Sequence, residues 1–560
     1  MPSLPATQFA VQLVGPGKIV LNREKPVPTP GPTQFVARVE AVGLCFSDLK
    51  LLKQFSAHVR KGEVVAGMEP GVLDSIPGYV PGTKPTVPGH EVVCEVVAVG
   101  DAVRHHQVGR RYLVQPDYRC WPTAGANAAF GYNFEGALQE FVLFDERIVV
   151  EPGGARYLIP IDEHLGSSQA ALAEPWACVE DSYVTAERRT IAAGGRLLVV
   201  AEPGHAIEGL VEAFSPDGPP AEILAIAPDS AHRHALAATG LSFALVGDPF
   251  LLPDEGFDDI VYFGARPAMI EALNPKLAAR AIMNVVAGGA RIGAPVSVGV
   301  GRMHYGLTRW IGTTGPRAAD AYSTIPRNGE IRDGDAILVV GAGGPMGQMH
   351  VLRALCSGRR GLVVTATDFD DERLAALARK AEPAARANAC TFRAVNTQAA
   401  PVEGTFDYIT IMAPVAQLVA DAIAQARPGG VVNIFAGVPA PVCHPIDLDK
   451  IIADRLFVFG TSGSSLDDMR IVLDKVIAGR LDTDASVDAV SGMAGAIDGI
   501  AAVEHRTMAG KIVVYPALRE LGLVPLARLR ERFPTVADKL DNGQWCRAAE
   551  KELLRVGAHS

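Results

Sequence analysis

The chain has 560 residues, 48% hydrophobic and 20% charged, with a formal net charge of −10. That length allows several domains with sizeable cores, the composition excludes a disordered or collagen-like chain, and the acidic balance argues against a nucleic-acid scaffold. Eight cysteines without a CxxC pair are too sparse for a disulfide framework. No apolar run reaches the roughly 18 residues that span a bilayer, and no signal-peptide pattern precedes the first basic residue, Lys18, so the expectation is a soluble, cytoplasmic, multidomain enzyme.

Residues 1–150 alternate short β-rich runs with Gly/Pro punctuation: FVARVEAVGL, EVVCEVVAVG, RRYLVQP, ALQEFVLF and RIVVEPG. This spacing predicts an antiparallel β domain with long loops. From about residue 190, apolar strands alternate with Ala-rich amphipathic stretches, the pattern of βαβ units on a parallel sheet. Four strings recur in order at nearly constant offset. Ile191 onward (IAAGGRLLVV) matches Ile331 onward (IRDGDAILVV), FDDI at Phe257 matches FDYI at Phe406, NVVAG at Asn284 matches NIFAG at Asn433, and GTTG at Gly312 matches GTSG at Gly460. The reading is a duplicated nucleotide-binding-type domain. From Arg519 the periodicity predicts a two-helix tail broken at Pro534.

The second copy carries a strand, Ala336-Ile337-Leu338-Val339-Val340, then the turn Gly341-Ala342-Gly343-Gly344-Pro345-Met346-Gly347, then a helix-like QMHVLRALCSG. That order aims backbone N–H groups and a positive helix end at a pyrophosphate, and glycines permit its close approach. The next strand, GLVVTATD, ends in Asp368, 21 residues beyond Gly347. A carboxylate there accepts the ribose hydroxyls of NAD and repels the 2′-phosphate of NADP. The expected cofactor is NAD, on Gly341, Gly343, Gly344, Pro345, Met346, Gly347 and Asp368. The first copy has lost the glycine triplet and carries Glu202 where a pyrophosphate would sit, although Asp229 follows its second strand as a ribose-type acid would. It reads as a degenerate copy.

Three places hold metal-ligand chemistry: Cys45 in GLCFSD, His90 and Glu91 in PGHE, and Glu174 in AEPWACVE. Thiolate, imidazole and carboxylate together suit Zn²⁺. With PGHEVVCEVVAVG, YNFEGALQEFV from Tyr132, EPWACVE, VVGAGGPMG and AGKIVVYP from Ala509, the order of these motifs resembles the zinc-dependent medium-chain dehydrogenase/reductase family. The EPWACVE and GGPMGQMH strings look nearest to its sugar and polyol branch, such as sorbitol, threonine or sorbose-phosphate dehydrogenases. The resemblance covers nearly the whole chain except the first α/β copy and the tail.

The resemblance implies an α/β fold with a GroES-like β domain and a Rossmann parallel-sheet domain, here joined by the degenerate repeat and the helical tail. The implied plan is 1–189 completed by 481–518 for the zinc domain, 190–328 for the degenerate repeat, 329–480 for the NAD domain and 519–560 for the tail. It implies Cys45, His90 and Glu91 as zinc ligands, with Glu174 as the fourth or as the holder of a zinc-bound water. Ser47 sits where the family places the hydroxyl of its proton relay, and Asp48 orients the loop or His90. Only Cys120 lies where the family's optional structural zinc needs four cysteines, so one zinc is expected. Cys94, in place of a family glycine, reads as packing.

The 45-position separation of Cys45 and His90 exceeds the family's usual spacing. The insert is expected to overhang the zinc, with Arg60, Lys61 and Lys84 either solvated or available to a substrate phosphate. His105 and His106 read as surface. The implied activity is oxidation of a secondary alcohol of a polyol, sugar or sugar phosphate by a homo-oligomer, dimer or tetramer. Two alternatives stay open: a redox-neutral, NAD-retaining epimerase or lyase, and a non-catalytic scaffold on the inherited fold.

Overall fold

The structure, a computed structural model, describes residues 4–69 and 71–557. It is a mixed α/β protein in two compact units, one formed by the chain up to Glu180 and from Ser464 onward, the other by Asp181–Gly463. Among the described residues no helix is long and apolar enough to cross a membrane, and all eight cysteines are free.

The first unit is built on an eight-stranded sheet. Its central strand, Gln34–Gly43, is buried along nearly all its length, as an apolar run flanked on both sides requires. It pairs antiparallel with Glu91–Val99 on one side and with Phe141–Asp145 and Lys511–Val514 on the other. The register sets Gly43 opposite both Glu91 and Val513. Segments from the start, the first third and the end of the chain thereby meet at one strand end. The run RIVV, read as a strand, is instead the short helix Glu146–Val149, because the Asp145 carboxylate accepts the Arg147 N–H (3.0 Å) and caps a turn there.

The tail adds the strand Val524–Pro525 to this sheet and then forms three short helices, Leu529–Arg532, Pro534–Ala537 and Arg547–Gly557. A tight Asp541–Gln544 turn, unread in the sequence, makes the extra break. The buried Glu550 carboxylate ties the last helix down by accepting the Ser167 and Ser168 N–H groups, each at 2.7 Å.

The second unit holds two six-stranded parallel sheets of the same order. One runs Ala244–Leu245, Glu222–Ile226, Arg196–Ala201, Phe257–Phe263, Leu277–Val286, Arg309–Thr313. The other runs Thr391–Asn396, Val363–Asp368, Ala336–Val340, Phe406–Ile411, Ala426–Ile434, Phe457–Phe459. This is the 3-2-1-4-5-6 order of a Rossmann sheet. Their registers superpose at the offsets of the sequence repeat: Leu197 faces Asp259 as Ile337 faces Tyr408, and Ile282 faces Arg309 as Val431 faces Phe457. Even one hydrogen bond recurs, Asp258 Oδ2 accepting the Arg196 N–H and Asp407 Oδ2 the Ala336 N–H, both at 2.8 Å.

Two equivalent short strands, Val296–Val298 and His444–Ile446, join the sheets antiparallel. Ser297 faces Pro445, Val296 faces Ile446 and Val298 faces His444, so each segment meets its own counterpart about a local two-fold. Val296, Val298 and Ile446 are fully buried in a core shared by both sheets. At about 1.5–3 kcal/mol for each such side chain, this contact adds to the shared core that holds the repeats together.

Candidate functional site

Where Gln34–Gly43 ends, Cys45 follows two residues later, immediately before the helix Phe46–Gln54, and His90 immediately precedes the strand Glu91–Val99. One ligand atom each from Cys45, His90 and Glu91 lie within 4.8 Å of one another, with Cys45 half-buried and the other two buried. Gly43 leaves room for this: a Cβ there would fall 2.1 Å from Glu91 Oε2. That oxygen is buried and has no hydrogen-bond partner, a costly state unless a cation answers it.

Buried groups behind the cluster hold it in place. Asp48 Oδ2 accepts the Cys45 N–H and Oδ1 the Gly89 N–H, both at 3.0 Å. Asp48 Oδ1 also lies 3.3 Å from His90 Nδ1, off the line of a good hydrogen bond, so that nitrogen stays formally unpartnered. Burial opposes charge on both, yet the Asp48 carboxylate lifts His90 well above the usual imidazole value, and His90 with the two backbone donors lowers Asp48. Lys511 Nζ, buried, donates to Glu91 Oε1 (2.5 Å) and the Leu44 carbonyl (2.7 Å). Burial would strip its proton, but the charges of Glu91 and Cys45 raise its pKa instead.

Glu174 is buried on the helix Ala173–Val184 and lies outside the Cys45–His90–Glu91 group. Burial and the nearby carboxylates of Glu91 and Asp117 push it up to about 7, against His90 and Lys511, and the Cys178 thiol lies 4.0 Å from its Oε1. Ser47 is half-buried in the first turn of Phe46–Gln54.

The insert reaches this cluster through His58 and Arg60. The His58 and His90 rings flank Tyr132, with centroids 5.1 and 5.8 Å from it. The Arg60 guanidinium sits over the same ring at 5.5 Å and pairs with Asp117 at 2.6 Å. The other insert cations differ. Lys61, read as a solvated loop cation or phosphate contact, is fully buried and donates to the Val80 and Lys84 carbonyls, so it closes the insert on itself. Lys84 is exposed. His106, read as surface, is buried: its ring stacks on Phe35 at 4.4 Å and Nδ1 meets Glu146 at 2.8 Å, while His105 stays exposed.

In the second unit, Ala336–Val340 leads through Gly341–Gly344 into the helix Pro345–Leu355, with Pro345 at its first position, where a missing N–H costs nothing. Asp368 ends the next strand and accepts the Gly343 N–H at 2.9 Å through Oδ2. A Cβ on Gly343 would lie 2.6 Å from that oxygen, and one on Gly344 3.0 Å from Arg373 Nη2. The glycines, the open helix end and the adjacent acid fit a dinucleotide.

The equivalent turn in the first sheet is filled. Buried Glu202 accepts from the Tyr262 hydroxyl and from Arg266 Nε. The following helix is absent, and only the single turn Val211–Ala213 remains. Asp229 is not the counterpart of Asp368. The register places it at Asp370, and both stand at the N-terminal cap position of the next helix, before Ser230–Ala237 and Asp371–Ala387, although only the Asp370 carboxylate accepts the helix's N–H groups; Ala227 stands at the place of Asp368.

Sequence reasoning quoted the Lys511 motif without giving the residue a role, and it missed Arg373 and the pairing of Arg60 with Asp117. A lone Lys opening the apolar strand Lys511–Val514 is a signal of a buried ion pair. Nothing local in the sequence joins Arg60 to Asp117.

The sheet bearing the Cys, His and Glu donors and the parallel sheet opening on a glycine turn resemble the two halves of an alcohol dehydrogenase. Residues 31–153, which include Cys45, His90 and Glu91, match the alcohol dehydrogenase GroES-like domain. The chain is 29% identical over 187 residues to D-altritol 5-dehydrogenase of Agrobacterium fabrum (32% of this chain, 46% of that one). It is 34% identical over 102 residues to sorbitol dehydrogenase of Bos taurus (18% and 23%). The matches thus span less than half the length of either relative. The structure of 2R,3R-butanediol dehydrogenase from Bacillus subtilis shares the fold, with TM-score 0.50 at 16% identity over 91% of this chain and 100% of that one.

Proposed function

We propose that the protein is a zinc- and NAD-dependent oxidoreductase that moves a hydride between NAD(H) and a secondary alcohol or ketone of a polyol, sugar or sugar phosphate. The observation that carries this reading is Glu91 Oε2, buried and unpartnered within reach of Cys45 and His90. Zinc would be held by Cys45, His90 and Glu91, with Glu174 the candidate for a further ligand or for the holder of a water. When bound, zinc supplies a Lewis acid for the alcohol oxygen and the nicotinamide supplies the hydride acceptor.

This chain's residues supply position and charge. Asp48 sets the Cys45 backbone and faces His90, so the two donors share one anchor. Lys511 engages one oxygen of Glu91 and leaves the other free. Ser47, half-buried beside Cys45, is the hydroxyl that passes the substrate proton outward. Gly341–Gly347 and Asp368 hold the dinucleotide, with NAD favoured over NADP by the carboxylate. As a domain plan we keep 1–189 with 481–518, 190–328, 329–480 and 519–560.

The test is NADH formation across polyols, sugars and their phosphates, together with zinc content. Activity with NAD that disappears, along with stoichiometric zinc, in Cys45→Ala or His90→Ala supports the proposal. A preparation that binds no zinc and forms no NADH overturns it. Isomer change without net NADH would move the assignment to a redox-neutral enzyme.

A further inference from the structure

The insert between Cys45 and His90 brings one cation to the metal-ligand cluster, and that cation does not come alone. Arg60 lies over Tyr132, whose ring neighbours His90, and it pairs at 2.6 Å with Asp117. Asp117 is buried, and its Oδ1 meets the guanidinium off hydrogen-bonding geometry, leaving that oxygen without a hydrogen-bond donor. The Arg60 side chain is 30% exposed, so the pair presents donor N–H groups, whereas Asp117 Oδ1 is sealed from solvent. Its charge reaches Glu174, and so does that of Asp117, which ties the pair to the cluster.

A phosphate ester needs positive charge left over after every internal partner is satisfied. Here Lys511 is answered by Glu91 and Arg60 by Asp117. Lys61 is spent on two carbonyls inside the insert. Asp48, Glu91, Asp117 and Glu174 therefore stand against Lys511 and Arg60. A divalent cation bound with the Cys45 thiolate brings this set only near balance, with nothing to spare for a dianion. Hydroxyl oxygens suit the pair: they accept from the exposed Arg60 N–H groups without adding charge.

We infer that the Arg60–Asp117 pair is the substrate-reading element of this site and that it selects an uncharged polyhydroxy compound over its phosphate ester. The inference rests on the proposed polyol activity and narrows it.

The experiment is isothermal titration of the zinc-loaded chain, without NAD, using mannitol and sorbitol, each against its terminal phosphate ester. The free polyol should bind tighter by about tenfold or more, the worth of a charge-assisted hydrogen bond. Asp117→Asn, which releases the Arg60 charge, should shift that ratio toward the ester by a similar factor. Arg60→Ala should weaken the free polyol about tenfold with zinc content unchanged and some loss of melting temperature from the unpaired, buried Asp117, and Arg60→Lys should restore part of the binding. Tighter binding of the esters by the unmodified chain overturns the inference, as does a ratio that Asp117→Asn leaves unmoved. Binding of neither compound instead overturns the polyol reading beneath it, so the two failures are told apart.

Discussion

The two sheets of the second unit share strand order, register and a half-buried Asp–backbone bond, yet only one keeps an open glycine turn. Counting from the shared register, Gly341, Ala342, Gly343 and Gly344 correspond to Ala201, Glu202, Pro203 and Gly204. The differences act together. Pro203 has no N–H to offer where Gly343 donates to Asp368, and the residue at the place of Asp368 is Ala227. Glu202 projects from the position of Ala342 and is neutralised by Arg266 rather than left to repel its surroundings. A strand scaffold thus persists on its apolar pattern alone, whereas a binding turn depends on a few residues that can be lost as a set.

Several measurements can break or sharpen this comparison. The largest effect is expected from Gly343→Val, whose Cβ would meet Asp368 Oδ2 at 2.6 Å. NADH binding by fluorescence titration should fall on the order of 100-fold, while Gly204→Ala leaves it unchanged. The unmodified chain should bind one NADH; two equivalents would show that the first sheet is not degenerate in function.

Acid should separate the repeats next. His350, on the helix that only the second repeat possesses, is fully buried against the Tyr183 hydroxyl at 2.8 Å, and burial lowers its pKa to about 3. The unfolded chain takes up this proton near pH 6.5 and the folded chain only near 3, so stability falls as pH drops across that interval. Hydrogen exchange over Pro345–Leu355 should therefore rise before exchange in Arg196–Ala201 and Phe257–Phe263. Simultaneous loss would refute the assignment to His350, and His350→Phe should delay the onset.

Glu202→Ala leaves the buried Tyr262 hydroxyl without its acceptor and should cost about 1–3 kcal/mol in denaturant unfolding. A neutral result would mean that the filled turn is not what stabilises that sheet end. The smallest effects belong to Asp258→Asn and Asp407→Asn, each about 1 kcal/mol. Asp407 is also paired with Arg427 at 2.7 Å and should be the slightly larger of the two, and a gap much larger than that would show that the two strand ends carry different loads.

The class of fold was legible because apolar periodicity is a local property: Ala336–Val340 followed by glycines, and Gln34–Gly43 rich in Val, announce their elements without help from elsewhere. The repeat was legible through matched strings whose offsets the strand registers reproduce. Legibility failed where one residue's fate depends on a distant one. RIVV became a helical turn because of Asp145, Lys61 and His106 were drawn inward by the Val80 carbonyl and by Phe35 and Glu146, and Asp229 fell at the start of a helix, level with Asp370, once strand pairing fixed its counterpart.

By itself the sequence determined the donor types Cys45, His90 and Glu91, the glycine turn at 341–347 and the acid at 368, since chemistry and chain-local spacing travel with residue identity. Only the tertiary structure decided that Cys45, His90 and Glu91 come within 4.8 Å of one another, that Lys511 secures Glu91 from 420 residues away, and that Arg60 is paired with Asp117. The physical reason is that strand register, rather than sequence distance, sets which charges share a low-dielectric space, and there each charge is meaningful only with its partner.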